Sequence, residues 1–118
     1  MKAGRKLDRL IAEHVMGWKK GRKFANGNGE WIIDGKVDFR TWDLTPDFST
    51  KIEAAWWVVE KMKAEGMVVI IKADGLRTGD YNPGWTVLVD NQSRTDADTA
   101  PHAICLAALK AVGVEVPA

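Results

Sequence analysis

The sequence predicts an α+β fold: a three-layer α/β/α sandwich in which three helices cover both faces of a four-stranded, mainly antiparallel sheet. Three observations carry that expectation. Apolar residues recur at helical spacing in three separate stretches. Between them lie two hairpin signals, one on the dipeptide Asp34-Gly35 and one on the β-branched run from Met67 to Ala73. Three helices are also too many for one face of a sheet this small, which distributes them over both faces.

Leu7, Leu10, Ile11, His14, Val15 and Trp18 mark one face of a helix from about residue 5 to about residue 19, which Gly17 and Gly21 weaken and end. Residues 19–29 are basic and glycine-rich and read as a loop. Residues 30–34 and 36–40 flank Asp34-Gly35, a pair that tolerates the positive φ of a two-residue hairpin. Their alternation is imperfect, which places this ribbon at or beside a sheet edge, with Trp31, Phe39 and Trp42 covering neighbouring structure. Thr50 and Glu53 have capping-box spacing for a second helix that stops at Gly66. Its buried stripe reads Ile52, Ala55, Trp56, Val59 and Met62, while Trp57, about 100° off that stripe, shares a face with Glu53, Glu60 and Ala64 and is expected at least partly exposed. The run 67–73 predicts a central strand covered on both faces. Turn residues at 74–84 lead into a second strand over 85–90, and residues 91–98 read as a polar connection. The last helix has Pro101 in its first turn and Gly113 beyond its end. Ile104, Cys105, Ala108, Leu109 and Val112 lie on its inner stripe, and His102, Leu106 and Lys110 on the other side.

A chain of 118 residues with 46% apolar and 28% charged residues fits one ordinary globular domain, 1–118, and excludes disordered, collagen-like and coiled-coil classes. No apolar run is long enough to cross a bilayer, and no signal-peptide pattern follows the basic start, so the expected site of action is the cytoplasm. The formal net charge of +1 hides an asymmetry: residues 1–23 hold eight basic and two acidic side chains, the remaining 95 residues nine and fourteen. One end of the molecule can therefore receive phosphates. A solvated helix face followed by a basic turn accounts for the same charges without a ligand.

Four stretches together resemble the phage ABA sandwich domain: Gly4 to Glu13 (GRKLDRLIAE), Val15 to Trp18 (VMGW), Phe48 to Thr50 running into Ile52 to Met62 (IEAAWWVVEKM), and Ala97 to Leu109 (ADTAPHAICLAAL). The resemblance touches all three helices and implies a helix-sheet-helix sandwich, a phage or prophage origin, and action in the cytoplasm of the bacterial host. It transfers no catalytic residues. The chain departs from the family pattern at Trp57, where a charged residue is usual, and at Leu106, in place of an arginine. Both departures put apolar groups on outward faces and mark an interface, with a homo-oligomer as the expected assembly.

Nucleophilic catalysis needs an activated Ser or Cys beside a base. Cys105 lies on a buried stripe and His14 on an apolar face, so no catalytic residue is expected and the protein reads as a binder rather than an enzyme. His102 lies near Asp96 and Asp98, but capping and the helix dipole explain those acids, and neither a metal nor a cofactor is expected. A nucleotide needs cations for its phosphate and a flat ring for its base. Trp18, Lys19, Lys20, Arg22 and Lys23, joined by Trp42, supply both, and Arg77 and Tyr81 in the 74–84 loop offer a second surface. The leading reading is sequestration of a small anionic, nucleotide-like immune signal. The alternative is a protein-interaction module that inhibits or redirects a host factor through Trp57. No membrane partner is expected, and a pI near 7.9 without a helix-turn-helix pattern argues against DNA.

Overall fold

The computed structural model describes residues 1–74, 84–91 and 93–116. Helix α1 spans Arg5–His14 and buries Leu7, Asp8, Ile11 and Ala12, a stripe that Val15 and Trp18 continue beyond its end. His14 is exposed, contrary to the inner position expected for it. The helix stops there rather than near residue 19. The Met16 and Trp18 N–H groups fold back onto the Ile11 and Ala12 carbonyls, and Gly17 takes a left-handed φ of 78° that glycine adopts without strain.

Residues expected to form a loop are then a strand, β1 (Lys19–Lys23), antiparallel to β2 (Gly29–Ile33). Its cationic side chains give no apolar alternation, and its order comes from backbone pairing with β2. Lysine-rich edge strands also resist pairing with foreign chains. The Asp34-Gly35 turn forms as expected, with φ values of 54° and 78°, and joins β2 to β3 (Lys36–Thr41). One 3-10 turn, Trp42–Leu44, follows.

Helix α2 covers Ile52–Ala64 and buries Ala55, Val58 and Met62. Ile52 and Trp56, expected inside, are 48% and 49% exposed, as is Trp57 at 48%. The buried stripe is rotated from the expected one because α2 meets α3 and the core along Ala55, Val58 and Met62. The expected capping box does not form: Lys51 occupies the N-cap position with no side-chain bond, and Asp47 O accepts the Thr50 and Lys51 N–H groups in a preceding turn.

The second hairpin pairs β4 (Val69–Asp74) with β5 (Gly84–Val89), in register from Val69 opposite Val89 to Asp74 opposite Gly84. The segment expected as a polar connection adds β6 (Ser93–Ala97) to β5. Asp90 and Asn91, with φ of 54° and 56°, make the tight connection. The predicted single four-stranded sheet is thus replaced by two three-stranded antiparallel sheets, β1-β2-β3 and β4-β5-β6. Each hairpin takes its third strand from the adjoining polar segment, where loop closure costs least.

The mixed α+β, layered class holds, but the layers differ from those expected. Helix α3 (Ala100–Ala111) buries Ala100, Pro101, Ala103, Ile104, Cys105, Ala107, Ala108 and Leu109, nearly its whole circumference. It lies at the centre, between β4-β5-β6 on one side and α1 and α2 on the other. Val112, expected inside, is exposed just past its end. Val69, Ile71, Val87 and Val89 face this core. On the opposite face of the sheet Ile70 and Lys72 are exposed, so β4 is an edge strand with one bare face rather than the covered centre, and the helices are not spread over both faces. The core is completed by Trp18, Trp31 and Phe48.

Candidate functional site

Helix α1 turns Arg5, Lys6 and Arg9 to one side at i, i+1 and i+4 spacing, with Leu10 and Glu13 one turn on. Strand β1 brings Lys20 alongside. These six residues line a cavity of about 470 Å³, within the range of small-molecule sites. Arg5 is anchored: its guanidinium donates to Asp47 (2.8 Å), to Asp8 (3.3 Å) and to the Asp43 carbonyl (3.0 Å). Arg9 meets Asp43 at 3.4 Å, and Lys20 meets Glu13 at 3.8 Å. Lys6 has no ion-pair partner among the described residues. Among those residues, Arg9 Nε is also the one buried side-chain nitrogen or oxygen left without a hydrogen-bond partner. An orphaned buried donor is costly unless a ligand or water satisfies it.

Trp42 does not line the cavity but lies next to Lys20 at its edge. Lys20 Nζ lies 5.8 Å from the Trp42 ring centroid, within cation–π range. The ring packs on the backbone of Gly29, where a Cβ would approach to 2.3 Å, and its Nε1–H donates to the Glu30 carbonyl at 3.0 Å. Behind it, Trp31 is fully buried, donates to Thr45 Oγ1 (2.9 Å) and packs against Trp42 with the rings tilted at 60° and their centroids 6.4 Å apart. The Thr45 hydroxyl in turn donates to the Trp42 carbonyl at 2.6 Å. This chain of bonds holds the indole rigidly at the groove.

The structure sorts the sequence-predicted ligand residues. Lys20 and Trp42 come together as expected. Trp18 does not join them: it is 7% exposed and packs edge-on against Trp31 and Phe48. Lys19, Arg22 and Lys23 line no part of the groove: alternation along the strand turns Lys19 to the face opposite Lys20, and the pairing register shifts between Lys20 and Lys23, which breaks the alternation that would have kept Arg22 beside Lys20. Arg22 instead lies 5.5 Å over Phe24. Arg77 and Tyr81 lie outside the described residues. Sequence reasoning overlooked Arg5, Lys6 and Arg9 as groove residues, although their spacing on a predicted helix places them on one side.

Of the two residues expected at an interface, Trp57 is half-exposed, with Phe48 beneath it at 6.4 Å and Arg40 over it at 6.0 Å. Leu106 is half-buried and lines a larger cavity of about 750 Å³ beside β6. That cavity balances Arg94 and Lys110 with Asp96 and Glu115, so it has no net pull on an anion. His102 Nε2 lies 2.7 Å from the Met1 carbonyl and donates to it in the matching tautomer.

Cys105 is fully buried, and desolvation, with the Asp8 carboxylate as a lesser cause, pushes its thiol far above the usual range. A thiolate is the reactive form. Native protein is expected to leave Cys105 unmodified by an aromatic disulfide reagent at about pH 8 and to react fully once unfolded. Rapid labelling of native protein would show that the core opens.

No helix among the described residues is long and apolar enough to cross a membrane. The chain matches the family model of the phage ABA sandwich domain over residues 9–109. No curated protein and no solved structure matches it.

Proposed function

This chain belongs to the phage ABA sandwich domain family, and from that premise we propose that it is a non-enzymatic binding protein that sequesters a small anionic, nucleotide-like signal in the host cytoplasm. The observation that carries the reading is the convergence of Arg5, Lys6, Arg9 and Lys20 on one cavity, with the unpartnered Arg9 Nε among them and Trp42 beside Lys20. A phosphate takes the partly exposed Arg9 guanidinium and the Lys6 ammonium, and a base stacks at Trp42. Existing carboxylates do not forbid this. The Arg9–Asp43 pair is long, with its side chains 40% and 66% exposed, and such pairs contribute at most about 1 kcal/mol. Two or three charge-assisted bonds to a phosphate outweigh it.

Native mass spectrometry of freshly purified protein, alone and mixed with cyclic and linear nucleotides, tests the reading. A stoichiometric nucleotide adduct is expected. Arg9→Glu and Lys6→Glu should each weaken binding at least about tenfold, a loss of about 1.4 kcal/mol. Arg22→Glu, which removes an equal charge outside the groove, should leave it within about twofold. Protein that ignores every nucleotide, or that responds equally to all three changes, overturns the proposal.

A second reading, a module that blocks a host protein, is favoured by the half-exposed Ile52, Trp56 and Trp57 on α2. Contiguous exposed apolar side chains of this kind mark interaction surfaces.

A further inference from the structure

The outward side of α2 has the chemistry of a self-complementary surface. Ala55, Val58 and Met62 turn inward, and the 100° step of the helix sends Ile52, Glu53, Trp56, Trp57, Glu60 and Lys63 to the other side, with the exposed Glu60 between the two tryptophans. Ile52, Trp56 and Trp57 remain 48%, 49% and 48% exposed. Together they leave about 300 Å² of apolar surface in water, the scale of a functional patch on a monomer. Arg40 on β3 extends the patch. Its guanidinium lies 5.4 Å over Trp18 and 6.0 Å over Trp57, bracing the Trp57 indole from the sheet side. Tryptophan and arginine are the residues that dominate interface energies.

Charge order selects the occupant. Glu53 stands in the first turn of α2 and Lys63 in the last, about 15 Å apart along the axis, and both are exposed. When a second copy is laid antiparallel across the first, about a two-fold axis near residue 58, Glu53 of each copy faces Lys63 of the other. The four tryptophans and the two Glu60 side chains fill the space between these ion pairs, each Glu60 standing opposite Trp56 of the other copy, whose indole N–H can donate to its carboxylate. A parallel arrangement sets glutamate on glutamate and lysine on lysine. An isologous two-fold contact needs such a surface, acidic at one end and basic at the other.

We propose that α2 packs antiparallel against α2 of a second copy, forming a two-fold dimer through Trp56 and Trp57 with paired Glu53–Lys63 ion bridges. One helix face is smaller than the roughly 800 Å² per partner of a standard interface, so the dimer is a reversible one. The groove of the proposed nucleotide site is lined by residues of α1 and β1, none of them on this face, and its affinity is read separately from the assembly.

Sedimentation velocity over about 1 μM to about 1 mM spans the dissociation constants of a weak interface. The mean mass should climb from 13.1 kDa toward twice that value. Trp56→Glu should keep the protein monomeric throughout. Glu53→Lys and Lys63→Glu should each weaken the dimer at least about tenfold, and the Glu53→Lys/Lys63→Glu double variant should recover to within about threefold of wild type. All three positions are exposed, and an unchanged thermal melt confirms that each variant is folded. Three results overturn the proposal: wild-type protein monomeric at every concentration, which leaves the face to a different protein; a dimer indifferent to Trp56→Glu; or a double variant no tighter than the single ones.

Discussion

Asp8→Ala is expected to lower the unfolding free energy by roughly 3–4 kcal/mol, the sum of a lost charge-assisted bond and a stranded buried donor. Asp8 is fully buried and is the anchor between α1 and the segment that launches α2. Its Oδ1 accepts both the Ser49 N–H (2.8 Å) and the Ser49 hydroxyl (2.6 Å), and Ser49 Oγ accepts the Gly4 N–H (2.8 Å). Alanine leaves the Ser49 amide buried without an acceptor and releases Arg5 from one of its two carboxylates. For a chain of this length the loss is a fall in Tm of about 10–20 °C. Ser49→Ala, which keeps the Ser49 amide bond but loses the hydroxyl and with it the acceptor of the Gly4 N–H, should cost roughly 1–2 kcal/mol. Calorimetric melts of wild type, Asp8→Ala, Asp8→Asn and Ser49→Ala check the order, with Asp8→Asn milder than alanine because its amide oxygen still accepts. An Asp8→Ala protein that melts within a few degrees of wild type would show that water replaces the lost acceptor.

Gly29→Ala is expected to damage both stability and the groove. The added methyl would stand 2.3 Å from Trp42 ring carbons, and the ring cannot simply swing aside, because the Glu30 carbonyl and Trp31 hold it. Overpacking of this kind costs typically 1–3 kcal/mol. The backbone tolerates alanine, since Gly29 is not among the glycines with positive φ; the effect is steric. Nucleotide affinity should fall about tenfold or more with loss of the stacking ring, within the 1–3 kcal/mol that one base–aromatic stack contributes. Tryptophan fluorescence and nucleotide titration read the two effects independently. Unchanged affinity in a folded Gly29→Ala protein would remove Trp42 from the site.

Particular residues show where the sequence was readable. Leu7, Ile11 and Val15 repeat at helical spacing, and that periodicity is local. Asp34-Gly35 names its own turn by backbone preference. Asp90-Asn91 carried the same signal for the β5–β6 turn and passed unnoticed among polar neighbours. Strand β1 carried none: Lys19 to Lys23 alternates no apolar group, and only the β2 edge makes it a strand. The groove was half-legible for the same reason. Lys20 and Trp42 stand far enough apart in the chain that their meeting depends on β1 pairing with β2, and it is the helix-borne Arg5, Lys6 and Arg9 that close the site. Asp8 gave no warning of burial, because a carboxylate enters a core only when distant donors such as the Ser49 amide await it.

By itself the sequence determined the α+β class, three helices, two hairpins and a basic amino-terminal end, all properties of local periodicity, turn chemistry and composition, while the family rested on the resemblance of its helix motifs. Only the tertiary structure decided that the hairpins grow into two separate three-stranded sheets, that α3 lies at the centre, that Trp18 is core while Trp56 is surface, and which cations share a cavity. Those outcomes turn on long-range pairing and on which face of each element meets another, and no local pattern encodes the partner that an edge strand or a helix face will find.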